Sequence, residues 1–189
     1  PAIIVGHSFG AGAATELVMR FPARARALVL VDAALGLTAE PSDAPAILKP
    51  KWLREVLVSL TVTNPLATRM LLQSLIARKE RALPEYVEIL QRPLTRQNST
   101  SDIADWMYYF VGSDRGADSA NRAAYARLKQ PVAILWGDMD SVTPLAQARD
   151  LKVLLPKAQL TLLPGLGHIP QIEAPDQFND ALLKALVTL

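Results

Sequence analysis

The chain has 189 residues, half of them hydrophobic, a fifth charged and 6% aromatic, the make-up of a globular protein with one sizeable core. Twenty Lys and Arg against 18 Asp and Glu leave a net charge of +2, and no basic tract carries interleaved aromatics, so nucleic acid is not an expected partner. Cysteine is absent, which excludes disulfides and thiolate metal sites; the two histidines, His7 and His168, are little material for zinc, and no apolar run nears the ~18–20 residues of a membrane span.

The chain opens Pro1-Ala2-Ile3-Ile4-Val5, with no Met and no signal-peptide pattern. Residues 2–5 read as a buried strand bounded by Gly6. Residues 11–21 read as a helix, with Leu17, Val18 and Phe21 on one face and Pro22 as its stop. A second apolar strand follows over 27–31 and ends at Asp32. Strand, helix and strand in about thirty residues make a βαβ unit with a right-handed crossover.

From 35 to 116 the signals are helical. Residues 51–62 carry Trp52, Asn64-Pro65 supplies an N-cap and N1 proline for a helix to 79, and Pro84 opens another to 91. A fourth, over 102–111, holds Trp106, Tyr108, Tyr109 and Phe110. The segment is too apolar for a linker. Its aromatics either line an apolar pocket or pack the insertion's own core, and its arginines are expected on a solvated face. Alternation then resumes with a helix over 115–128, a strand over 132–136, a helix over 144–154, a strand over 158–163 and a helix over 175–186. The expected fold class is α/β, a parallel sheet flanked by helices with a helical cap insertion: core 1–34 and 117–189, cap 35–116.

Gly6-His7-Ser8-Phe9-Gly10 matches G-x-S-x-G and lies between the first strand and the first helix, where a sharp turn can project Ser8 above the sheet. Side chains two residues either side of the serine are expected to clash, hence the two glycines. Ser8 needs a base to become a nucleophile. His7 adjoins it and should diverge from it, which leaves His168, in a glycine-rich loop after the last strand. A carboxylate must fix the imidazole tautomer. Asp32, Asp138 and Asp140 all follow strands, and the residues alone leave the choice among them open.

Gly6–Gly10, Trp136-Gly137-Asp138-Met139-Asp140 with Pro144, and Gly165-Leu166-Gly167-His168 with Glu173-Ala174-Pro175 resemble the α/β-hydrolase superfamily, in its capped, serine-nucleophile branch. The resemblance implies a Ser8–His168–Asp140 triad, with the N–H of Phe9 as an oxyanion donor, and no cofactor or metal. It implies a serine hydrolase cleaving an ester or related acyl bond of a small apolar substrate. C–C bond hydrolase, amidase and peptidase activities use the same triad and stay open. The matched motifs start at the elbow, so the resemblance further implies the C-terminal portion of a larger enzyme, from which four strands and the loop with the second oxyanion donor are missing. Residues 1–189 alone are therefore expected to be inactive or poorly soluble. A small-molecule substrate, a cytoplasmic location and no membrane partner complete the expectation.

One rival is an NAD(P)-dependent short-chain dehydrogenase: Gly6, Gly10 and Gly12 would form the nucleotide loop, Asp32 the ribose acid, and Tyr125 with Lys129 a Y-x-x-x-K pair. It leaves the Asp138/Asp140 loop and Gly167-His168 unexplained, and residues 35–116 lack the further βαβ alternation it needs. The other rival is a hydrolase fold used only for binding. A complete Ser8, Asp140 and His168 set argues against that.

Overall fold

The computed structural model describes residues 1–37, 45–111 and 116–189, with Phe110 and Val111 described in backbone alone. Residues 38–44 and 112–115 of the expected cap, including Arg115, the expected start of one helix, lie outside the described residues. Contacts divide the chain into two units, Pro1–Thr38 with Leu75–Arg78 and Arg115–Leu189, and Ala39–Ser74 with Lys79–Asp114.

The first unit is built on four parallel strands in the order β1-β2-β3-β4: β1 Ala2–His7, β2 Ala25–Val31, β3 Val132–Gly137 and β4 Gln159–Leu163. β2 and β3 are near-continuous apolar runs because both of their faces are covered. Their side chains alternate between two cores. Leu28, Leu30, Ile134 and Trp136 meet helices α1 (Gly10–Arg20) and α6 (Leu145–Leu154), while Val29, Val31, Ala133 and Leu135 meet Phe178 and Ala185 of helix α8 (Pro175–Thr188). Alternation of period two is what a pleated strand imposes when both faces are buried. Trp136 is buried with its indole N–H donating to Thr143 O at 2.8 Å, so its polar edge is satisfied inside the core.

The helix expected over 115–128 is instead two 3₁₀ segments, Asp118–Ala120 and Arg122–Arg127. Side-chain bonds compete with the α-helical ladder here: within the segment Asn121 Oδ1 accepts from Ala123 N and the Tyr125 hydroxyl donates to Ser119 O, and from the distant α1 Glu16 accepts from Ser119 N. The sequence reading also omitted a short helix, α7, over Pro170–Glu173.

The second unit is helical. Helix α2 spans Lys51–Leu60, α3 Thr68–Leu75 (its last residue belongs to the first unit), α4 Pro84–Leu94 and α5 Ser99–Val111. Asn64 does not cap an α-helix starting at Pro65. Its side chain accepts from Leu66 N in a turn, and the helix begins at Thr68. Arg54 corrects the expectation of a solvated arginine face: its side chain is 11% exposed, donates to Leu48 O, Lys49 O and Asp105, and stacks 4.6 Å from the Tyr108 ring centre. Trp52 and Tyr109 are exposed rather than packed into that unit's core. Among the described residues no helix is long and apolar enough to cross a membrane.

Candidate active site

β1 ends at His7, and the chain turns into α1 within two residues. Ser8 sits in that turn with φ 51°, a left-handed conformation costly for a residue with a Cβ. The turn is anchored by Ser8 N to Val31 O and by Ser8 O accepting from Ala11 N and Ala34 N. Gly6 is required by space: a Cβ there would meet Ala11 Cα at 2.6 Å and the Ala14 Cβ at 2.7 Å. Gly10 is not, since nothing lies within 4 Å of its would-be Cβ. The expected symmetry of the two glycines is therefore half right.

The strained turn holds Ser8 Oγ 2.7 Å from His168 Nε2, and His168 Nδ1 lies 2.8 Å from Asp140 Oδ2. His168 and Asp140 are buried, so the three side chains form a continuous line that opens at the serine. Asp140 is firmly held. Its Oδ1 accepts from Val142 N at 2.7 Å and Thr143 N at 2.9 Å, and its Oδ2 accepts from Thr143 Oγ1 at 2.5 Å. Burial works against its charge, but the bonds from His168 and Thr143 outweigh it and hold the carboxyl below its ordinary range.

A profile of the alpha/beta hydrolase family matches residues 1–181. The chain belongs to that family. This alpha/beta hydrolase is 41% identical over 58 residues to the hydrolase named LipZ of Mycobacterium tuberculosis, covering 31% of the chain and 20% of LipZ. It is 28% identical over 183 residues to the pimeloyl-[acyl-carrier protein] methyl ester esterase of Aromatoleum aromaticum, covering 93% and 70%. The crystal structure of CarC, a serine hydrolase involved in carbazole degradation, superposes with a TM-score of 0.74 at 18% identity, over 99% of this chain and 64% of that one. The likeness to CarC is one of fold. The chain thus spans less than two thirds of the LipZ and CarC chains.

The other two aspartates of this alpha/beta hydrolase go elsewhere. Asp138 Oδ1 accepts from Gly165 N at 2.7 Å, tying the loop after β3 to the one after β4. Asp32 is fully buried, and its Oδ1 accepts from Gly137 N at 2.8 Å. Burial is the main reason its carboxyl is pushed up to about 9; the Gly137 N–H opposes that, and the charges of Asp140 and Glu173 add to it. Asp32 cannot serve as a ribose acid from this position. Tyr125, the other half of the dehydrogenase reading, is buried with its hydroxyl bonded to Ser119 O at 2.6 Å.

Three contributors escaped sequence reasoning. Thr143 braces Asp140 from side chain and backbone, and its hydroxyl lies 3.3 Å from His168 Nδ1. His7 does diverge from Ser8, but its Nε2 lies 2.7 Å from His168 O. Burial lowers the His7 pKa despite that bond, which fits a neutral ring with Nε2–H donating. Glu173 is buried, with Oε1 accepting from Gly167 N at 2.8 Å and Oε2 from Ala77 N and Arg78 N at 2.9 and 3.0 Å. With His168 N bonded to Leu75 O at 3.0 Å, the backbone around His168 is fixed from three sides. Only Glu173 had a legible signal, its place in the E-A-P segment after the histidine loop.

Proposed function

We propose that this chain carries the triad of a serine hydrolase, with Ser8 as nucleophile, His168 as general base and acid, and Asp140 as the orienting carboxylate. The observation that carries the reading is the unbroken line of 2.7 and 2.8 Å contacts from Ser8 Oγ through both ring nitrogens of His168 to Asp140. As Ser8 Oγ bonds to the substrate carbonyl carbon, its proton passes to His168 Nε2. Asp140 accepts from Nδ1–H, which keeps Nε2 as the acceptor and stabilises the imidazolium. The carbonyl oxygen gathers negative charge, and the N–H of Phe9, at the start of α1, is the donor this chain offers it. Collapse of the tetrahedral intermediate breaks the bond to the leaving group, which takes the proton from Nε2. Water, deprotonated by His168, then releases the acid from the acyl-enzyme.

The bond is an ester or related acyl bond in a small apolar substrate. The similarity to a methyl ester esterase supports the bond type, and the apolar side chains beside the triad residues, Phe9, Met139 and Val142, are exposed and support the substrate class. The test is labelling with a fluorophosphonate probe together with turnover of short-chain aryl esters. Labelling is expected at Ser8 alone, and Ser8→Ala should abolish it and lower kcat by several orders of magnitude. Labelling that persists in Ser8→Ala overturns the assignment.

A further inference from the structure

Asp32 directly follows β2 in a left-handed backbone conformation, φ 42°, with no exposure to solvent. A carboxyl so buried needs a partner on each oxygen. Oδ1 has one in the Gly137 N–H at 2.8 Å. Oδ2 is buried with no hydrogen-bond partner, while the Thr143 hydroxyl lies 3.3 Å from Asp32 O and 2.5 Å from Asp140 Oδ2 and so brings the two aspartates together. Burial disfavours charge on Asp32, and the nearby Asp140 charge disfavours it further, so the two carboxyls are not both ionised. One of them holds a proton. Asp140 is the poorer place for it: two backbone N–H groups, the Thr143 hydroxyl and His168 Nδ1 already point donors at its two oxygens.

We infer that Asp32 is a neutral carboxylic acid that donates its Oδ2 proton to Asp140, acting as a positioning residue that holds the Asp140 carboxylate toward His168 without adding charge. Its role in rate rests on the triad reading above; the location of the proton does not. The groups facing it fit this state. Asp140 lies on the loop after β3, Glu173 on α7 and His168 on the loop after β4; both acids disfavour a further negative charge, and burial disfavours it more. Ionisation in alkali would set a second anion against Asp140 and break the bond.

Infrared difference spectroscopy between acidic and alkaline pH, on the parent and on Asp32→Asn, tests the proton directly. The parent should show a carboxylic-acid C=O band at neutral pH that disappears near the pH of about 9 to which this group is shifted, and Asp32→Asn should lack it. In turnover, Asp32→Ala should lower kcat roughly ten- to hundredfold, the size expected for losing one hydrogen bond to a charged group, with little change in KM. Asp32→Asn, which can still donate to Asp140 and accept from Gly137, should recover most of that loss and also lose the parent's alkaline fall in kcat. An absent acid band at neutral pH, a band unchanged in Asp32→Asn, or an Ala variant as fast as the parent overturns the inference. The band is read without catalysis, so its failure is distinct from a failure of the triad reading, which shows as Ser8→Ala retaining activity. If the Ala variant does not fold, the Asn comparison still decides.

Discussion

Three aspartates sit at the carboxyl ends of neighbouring strands, and their environments give them different chemistry. Asp140 is stabilised as an anion by His168 and Thr143, Asp138 braces the Gly165 turn, and Asp32 is kept neutral by burial. Asp140→Asn keeps the shape but permits the wrong imidazole tautomer, so kcat should fall by about 10⁴, as in the serine-protease precedent. Asp138→Asn should stay within tenfold of the parent. Steady-state kinetics on the two variants checks this, and an Asp140→Asn enzyme within tenfold of the parent contradicts it. Asp32 also leaves a mark on stability. The folded-state pKa lies near 9 and the ordinary value is 3.8, so its contribution to stability is fully present below about pH 3.8 and is lost as pH rises toward about 9. Asn does not titrate. The stability of Asp32→Asn relative to the parent, from urea unfolding, should therefore climb across that window and level off above it; a difference independent of pH argues against a neutral Asp32.

At the scale of elements, two devices hold the histidine loop. Gly167 passes so close to the Leu75–Arg78 segment that a Cβ would lie 2.5 Å from Ala77 N, and Glu173 bonds the same segment and Gly167 through three backbone N–H groups. Removing that carboxylate leaves three inward-facing donors without their acceptor. Glu173→Ala should lower unfolding free energy by at least about 2 kcal/mol and speed amide exchange at Gly167, Ala77 and Arg78 ahead of the rest of the sheet. A urea midpoint equal to the parent's contradicts the role. The elbow gives a cleaner contrast. Gly6→Ala forces Cβ into the α1 backbone and should be strongly destabilising. Gly10→Ala meets nothing and opens α1 with a better helix former, so it should be neutral or stabilising by up to about 1 kcal/mol.

At the scale of the whole molecule, cover over the sheet is uneven. β1 lies at an edge of the four-strand order, and α8 packs on β3 and β4, leaving Val5 at 50% exposure on the face that also carries Ile3. An apolar edge strand is a template for further pairing. The 189-residue chain should therefore self-associate at micromolar concentration in light scattering, and Val5→Lys should reduce that association. A monodisperse monomer contradicts this.

How much of this was legible beforehand differs by distance along the chain. Short apolar runs bounded by Gly, Pro or Asp marked the four strands to within two residues, although only β2 and β3 are buried on both faces; β1, expected to be buried, is half-exposed at Val5, because burial depends on neighbours that the run itself does not show. The elbow and the single remaining histidine were equally local, which is why Ser8 and His168 could be named from residues alone. Residues 118–127 were misread as α-helix because bonds of Asn121 and Tyr125 within the segment, and of Ser119 N to the distant Glu16 on α1, replace the α-helical ladder, and none of these shows in a hydrophobic period. The choice among Asp32, Asp138 and Asp140 was of the same kind. All three spacings allow a triad acid, and what separates them is which donor each oxygen meets across more than twenty residues of chain: His168 for Asp140, Gly165 for Asp138, Gly137 for Asp32. Sequence determined the strands and the candidate nucleophile, since apolar runs and turn chemistry are local. Tertiary packing decided the protonation and partners of the acids, since burial and hydrogen-bond geometry exist only once the strand ends are side by side.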